Sequence, residues 1–162
     1  MSESGSISIN DSSFSLDSIL ESLATTQEEK ESLRDGQIVI LPNSTQNESL
    51  VFSEEAVPFY KYCTIAKEDD RVLLIPDENR QVLALRSIDF FMPVIYIAKD
   101  VLLPALINLV SSYIYDRIRG QKENPNVKLK VVIDESKTEI DYDGPLSGLP
   151  EVENIVKIGK GN

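Results

Sequence analysis

The chain has 162 residues, of which 41% are hydrophobic, and it carries a formal net charge of −11 with no histidine. That length bounds one domain, able to bury about two-thirds of the surface of its unfolded chain. The lack of a cationic excess speaks against nucleic-acid binding and against docking on anionic lipid. The lone Cys63 excludes an intramolecular disulfide, and the missing histidines remove Ser-His-Asp, Cys-His and histidine-zinc chemistry.

Residues 1–14 are polar and rich in serine, and they read as a disordered tail ahead of a single domain over 15–160. Residues 42–50 mark the place where that domain would subdivide. The first sixteen residues have neither the basic start nor the apolar run of a signal peptide. A reducing, bacterial cytoplasm is the expected setting.

From Leu16 the apolar spacing (16, 19, 20, 23) is helical, with Ser15 or Asp17 as cap and Asp35-Gly36 as stop. Gln37 to Leu41 reads as a short strand stopped by Pro42, and residues 42–49 as a polar loop. Ser53-Glu54-Glu55 resembles a helix start. Phe59, Tyr62, Cys63 and Ala66 fall on one helical face, which favours a helix there despite Pro58. Arg71 to Ile75 and Gln81 to Arg86 read as a hairpin around Pro76-Asp77-Glu78-Asn79.

The stretch RSIDFFMPVIYIAKDVLLPALINLVSSYIYDRIRG, Arg86 to Gly120, concentrates the apolar surface. Its second half is too densely apolar for a one-faced surface helix. Asn108, Ser111, Ser112, Tyr115 and Arg119 recur three or four apart and form one polar stripe. The spacing therefore predicts a largely buried helix near 101–119. Pro104 leaves two arrangements open: a helix that begins near Leu103, or a longer one from Pro93 that bends. The run from Val101 to Tyr115 is short of the ~20 residues of a membrane span, and extending it backwards brings in Lys99 and Asp100.

NVKLKVVID alternates cleanly, with Val127, Leu129, Val131 and Ile133 on one face and Lys128 and Lys130 on the other. After Glu135-Ser136-Lys137, the residues Thr138, Ile140 and Tyr142 continue the buried face of an antiparallel partner. Glu139 and Asp141 lie within reach of the lysines. Pro150 opens a final short helix with Val152, Ile155 and Val156 on one side. The fold class is α+β: two hairpins, over 71–86 and 127–142, build small antiparallel sheets packed against the central helix.

Three constellations carry chemistry-bearing residues. Asp141-Tyr142-Asp143-Gly144, beside Asp134, Glu135 and Glu139, resembles a fragment of a calcium loop but lacks the distant bidentate glutamate. A solvated hairpin face is its plainer reading. Cys63 lies between Lys61 and Lys67, whose charge lowers a thiol pKa if they approach it; a buried structural thiol is the plainer reading. The stripe Asn108, Ser111, Ser112, Tyr115 and Arg119 is either a solvated helix face or an interaction surface, with Tyr115 and Arg119 as its anchors. No catalytic, metal or cofactor-binding residue is read from the sequence.

LPALINLVSSYIYDRIRG, followed by NVKLKVVID, a turn, KTEIDYDGPLSGLPEV and a short helix, resembles the effector-associated constant component group of bacterial conflict systems. The resemblance spans about residues 101–158 and rests on the helix-then-hairpin pattern. It implies an accessory protein that works beside an effector in antiviral defence and carries no catalytic site of its own. The expected function is thus a non-enzymatic cytoplasmic interaction module, whose partner is another protein, an effector or a second copy. The alternatives are an acidic inhibitor or nucleic-acid mimic, and a membrane-associated protein held through residues 93–115.

Overall fold

A computed structural model describes residues 6–11, 27–28, 31, 37–42, 44–46, 49–69, 71–74, 81–83, 90–119 and 124–160. Within the expected tail, Ser6–Asp11 forms a strand, β1. Of the helix expected from Leu16, only Gln27, Glu28 and Glu31 fall among the described residues; all three are helical and exposed.

Two short βαβ crossovers make the centre of the molecule. The first runs from β2 (Ile38–Leu41) through β3 (Ser44–Gln46), β4 (Ser49–Ser53) and α1 (Ala56–Lys61) to β5 (Val72–Leu74). The second runs from β7 (Phe90–Ile97) through α2 (Leu103–Arg117) to β8 (Asn126–Ile133). Each crossover joins parallel neighbours, and β2 pairs antiparallel with β7. β9 (Thr138–Pro145) adds antiparallel to β8, and β1 adds antiparallel to β9. The result is a six-stranded mixed sheet in the order β1-β9-β8-β7-β2-β5. β3, β4 and β6 (Gln81–Leu83) form a separate three-stranded sheet.

The α+β class holds, but the main sheet is mixed and is not assembled from two hairpins. Only 127–142 is one. β5 and β6, read from the sequence as hairpin partners, belong to different sheets and pair in parallel with β2 and β4. Their turn, residues 75–80, lies outside the described residues. Leu83 and Val72 gave the same alternation whichever neighbour they took, so local pattern did not identify the partner.

Burial follows the register. Ile38, Ile40, Ile95, Ile97, Val127, Leu129, Val131, Ile133, Ile140 and Tyr142 line up across the strands, and all are buried. On the opposite face, Val39, Tyr96 and Val132 are paired in a row and also buried, whereas Lys128, Lys130, Glu139, Asp141 and Asp143 carry charge over the outer strands. All four residues of β2 are buried, which is why IVIL reads as an unbroken apolar run without alternation. Pro93 lies in a strand with neighbours on both sides. The β7–β8 register shifts between Phe91 and Val94, and this bulge accommodates a residue that has no N–H to give.

Residues 93–97 are therefore strand, and the helix begins at Leu103, as in the first of the two arrangements above. A 3-10 turn, Asp100–Leu102, leads into it and places Pro104 in the first helical turn, where its missing N–H costs nothing. Asp100 accepts a hydrogen bond from Ser136 Oγ at 2.9 Å rather than capping the helix. α3 (Glu151–Lys160) closes the described chain and packs on α2, with Val152 buried. Before it, Tyr142 donates to the carbonyl of Pro145 at 2.6 Å. A Cβ at Gly148 would stand 2.6 Å from that same hydroxyl, so glycine is required for the turn to close.

Candidate functional site

α2 brings together the most concentrated polar chemistry of the described residues. Its inner side buries Leu103, Leu106, Ile107, Val110, Tyr113 and Ile114. At its C-terminal end this side also meets a buried carboxylate from the start of α1. Ser53 Oγ accepts the Glu55 N–H at 3.2 Å and fixes the chain entering α1; Glu55 itself is only 4% exposed. Tyr113 donates to Glu55 Oε1 at 2.5 Å, and Arg117 Nη1 donates to the same oxygen at 3.1 Å and to the Tyr113 hydroxyl at 2.6 Å. Tyr113 and Arg117 are one turn apart and reach the same atom because residues four apart share a helix face.

Aromatic rings enclose this triad. Phe59 and Tyr62 meet Tyr113 edge-on, with ring centres 5.4 and 5.5 Å away. The Arg117 guanidinium lies 5.6 Å from the Tyr113 ring and 6.0 Å from that of Phe90. Burial, reinforced by the bond to Glu55, holds the Tyr113 hydroxyl well above the ordinary tyrosine range, so it keeps its proton through neutral pH. Glu55 Oε1 thus accepts from both neighbours, and the phenol keeps its proton. The triad locks α1 to α2.

Beside the triad, α1 passes into a π-helical turn, Tyr62–Ala66, in which Lys67 N–H reaches back to the Tyr62 carbonyl at 3.1 Å. Glu68 adopts a positive φ of 50° and ends it. Between this turn and α2 lies an open, mostly apolar groove of about 340 Å³, lined by Pro58, Tyr62, Ile65, Ala66, Asp116 and Arg117, among others. The Tyr62 hydroxyl is buried, and burial raises its pKa, with the neighbouring Asp116 carboxylate adding to the rise. Cys63 is fully buried; burial, assisted by Asp69, pushes its thiol up to about 12, the opposite of activation by Lys61 and Lys67. The acidic residues near Gly144 have individual partners: Glu139 with Lys130, Asp134 with Lys137, Asp143 with Asn126.

Four residues of the predicted stripe, Asn108, Ser111, Ser112 and Tyr115, lie on the other side of α2; the helix ends at Arg117, short of the expected 119, and Arg119 stands in the turn that follows. Asn108, Tyr115 and Arg119 are exposed, and Ser111 and Ser112 are half-buried, with Ser111 Oγ enclosed and unpartnered among the described residues. The hydrogen bonds of the triad run among Glu55, Tyr113 and Arg117 and involve no member of the stripe. Glu55, Tyr113, Arg117 and Tyr62 were missed as a group. The signal available was the i, i+4 pair Tyr113/Arg117, which duplicates the spacing of Tyr115/Arg119; its acceptor, Glu55, lies fifty-eight positions away from Tyr113. No protein-family model, no curated protein and no solved structure matches the chain.

Proposed function

We propose that this chain is a non-enzymatic protein-interaction module, and that the outer side of α2 (Asn108, Ser111, Ser112 and Tyr115), with Arg119 in the turn that follows, is its contact surface. Tyr115 carries the reading: a large aromatic side chain, 58% exposed on the most deeply embedded helix of the fold. Tyrosine and arginine four positions apart can anchor in the same partner, and they are the side chains that concentrate binding energy. The triad on the inner side supports a non-catalytic reading, because Glu55, Tyr113 and Arg117 hydrogen-bond to one another across α1 and α2. The partner is another protein, cytoplasmic like this chain and with a basic contact surface that suits the charge of −11. An effector of a bacterial conflict system has that role in the resemblance noted above.

The test is a double substitution, Tyr115→Ala with Arg119→Ala, used as bait in affinity capture from the native host and followed by titration calorimetry with each captured protein. The expected result is loss of capture with an unchanged circular dichroism spectrum. If the folded double variant keeps the same partners at the same affinity, the outer side of α2 is not the contact surface.

A further inference from the structure

β1 forms one edge of the main sheet. Among the described residues its one strand neighbour is β9, and five of its six residues are exposed; Ile7 alone is half-buried. In a strand paired on one side, alternate residues direct N–H and C=O outward, so this edge is a row of hydrogen-bonding groups open to water. Edges of this length are usually blunted with lysine, proline, a bulge or an inward charge. SISIND has none of the first two, pairs with β9 without a shift in register, and carries its one charge at the last position, Asp11. The opposite edge, β5, is three residues long.

We infer that β1 is a self-association edge, at which a second copy adds its own β1 antiparallel and joins two main sheets into one. Side-chain pattern selects the second copy as the occupant. A two-fold axis relating antiparallel strands stands normal to the sheet, so each residue must face one from its own side of the sheet. Ile7 and Ile9 share the side of Tyr142 and Ile140, while Ser6, Ser8 and Asn10 share the side of Asp143, Asp141 and Glu139. With Ser8 opposite Ser8 of the second copy, Ile7 meets the second copy's Ile9 and Ser6 meets its Asn10. Every pair then matches apolar with apolar or neutral polar with neutral polar, and Asp11 falls outside the pairing. Shifting by two positions one way would instead set Ile7 against the second copy's Asp11, and shifting the other way would keep only Ser6 to Ser8 paired within the two strands. This edge is distinct from the outer side of α2 and stands or falls independently of it.

Six residues bury little area, so the dimer is weak and concentration-dependent. A charge of −11 on each copy opposes it. Salt therefore strengthens the association, since the screening length falls from about 10 Å at ~0.1 M to about 3 Å at ~1 M. The experiment is sedimentation equilibrium of the full chain over a range of concentration and salt, with two variants. Ser8→Lys places two cations face to face across the axis while keeping Asp141 opposite within its own chain, so the fold persists and the dimer is lost. Ser8→Cys cross-links under mild oxidation, whereas Ser6→Cys, set opposite an asparagine, does not. The expected result is a mass that rises toward twice the monomer with concentration and salt, abolished by Ser8→Lys. A chain monomeric under all conditions, a dimer that Ser8→Lys leaves intact, or equal cross-linking of the two cysteine variants would overturn the inference.

Discussion

Two tyrosine–arginine pairs have identical spacing in the sequence, Tyr113/Arg117 within α2 and Tyr115/Arg119 across its C-terminal end, and they have opposite fates. The first is drawn inward around Glu55, with Tyr113 only 3% exposed; the second faces out, with Tyr115 58% exposed. Two residues turn a helix by about 200°, so the two tyrosines stand on nearly opposite sides of α2. Spacing alone gives both pairs the same reach. What separates them is the element across from each: among the described residues, α1 and the π-helical turn supply a buried carboxylate and two rings to the side of Tyr113 and nothing of the kind to the side of Tyr115. A binding-prone composition is thus spent on internal locking wherever a partner already exists in the chain.

The sharpest way to break this contrast is Tyr113→Ala. It removes a buried ring and leaves Glu55 with Arg117 alone, and it should cost about 3–5 kcal/mol in denaturant unfolding. Arg117→Met keeps much of the packing but strips the cation from Glu55; with Arg117 half-exposed, a loss of about 1–2 kcal/mol is expected by the same measurement. An equal cost for Arg119→Met would erase the distinction between the pairs.

Alkaline pH tests the inner side without changing packing. Tyr113 and Cys63 both have pKa values raised by burial, so their contribution to stability is complete below the unfolded values and declines as pH rises above them. For Cys63 the decline runs from 9.0 to about 12, and for Tyr113 it begins near 10.0. The unfolding midpoint should be flat from neutral pH up to 9.0 and then fall. Cys63→Ala should reduce the early part of that fall and Tyr113→Phe the later part, to which Tyr62 and Tyr142, also raised by burial, contribute as well. An unchanged profile in both variants would mean that neither group is buried as described. The smallest effect on stability belongs to Tyr115→Ala with Arg119→Ala, expected within about 0.5 kcal/mol of the parent chain. That near-neutrality makes the variant usable for binding.

The strongest local patterns were readable directly. The alternation of NVKLKVVID and its partner is the β8–β9 hairpin, including the Lys130–Glu139 contact. Of the exposed residues of α2, Asn108 and Tyr115 fall on the predicted stripe, whereas Pro104, Asp116 and Arg117 do not. What escaped depends on distant partners. FFMPVIYI is buried on both faces between β2 and β8, so it lacks the alternation that marks a strand, and its proline argued against one until the bulge explained it. SISIND looks like a solvated tail because five of its six residues are solvated; only pairing with β9 makes it a strand. Glu55 read as an N-terminal helix acid, and nothing near it in sequence announced that Tyr113 and Arg117 would close over it.

The pairing of β1 with β9 also has a consequence in time. Ser6 lies opposite Asp143 and Asp11 opposite Thr138, so β1 is the first described strand to leave the ribosome and its sheet neighbour is the last. The β8–β9 hairpin can zip locally, whereas β1 must close a loop that contains nearly the whole chain, a non-local step that slows folding. During synthesis β1 waits with both edges open, and its amides should gain protection last in pulse-labelled hydrogen exchange, after those of β8 and β9.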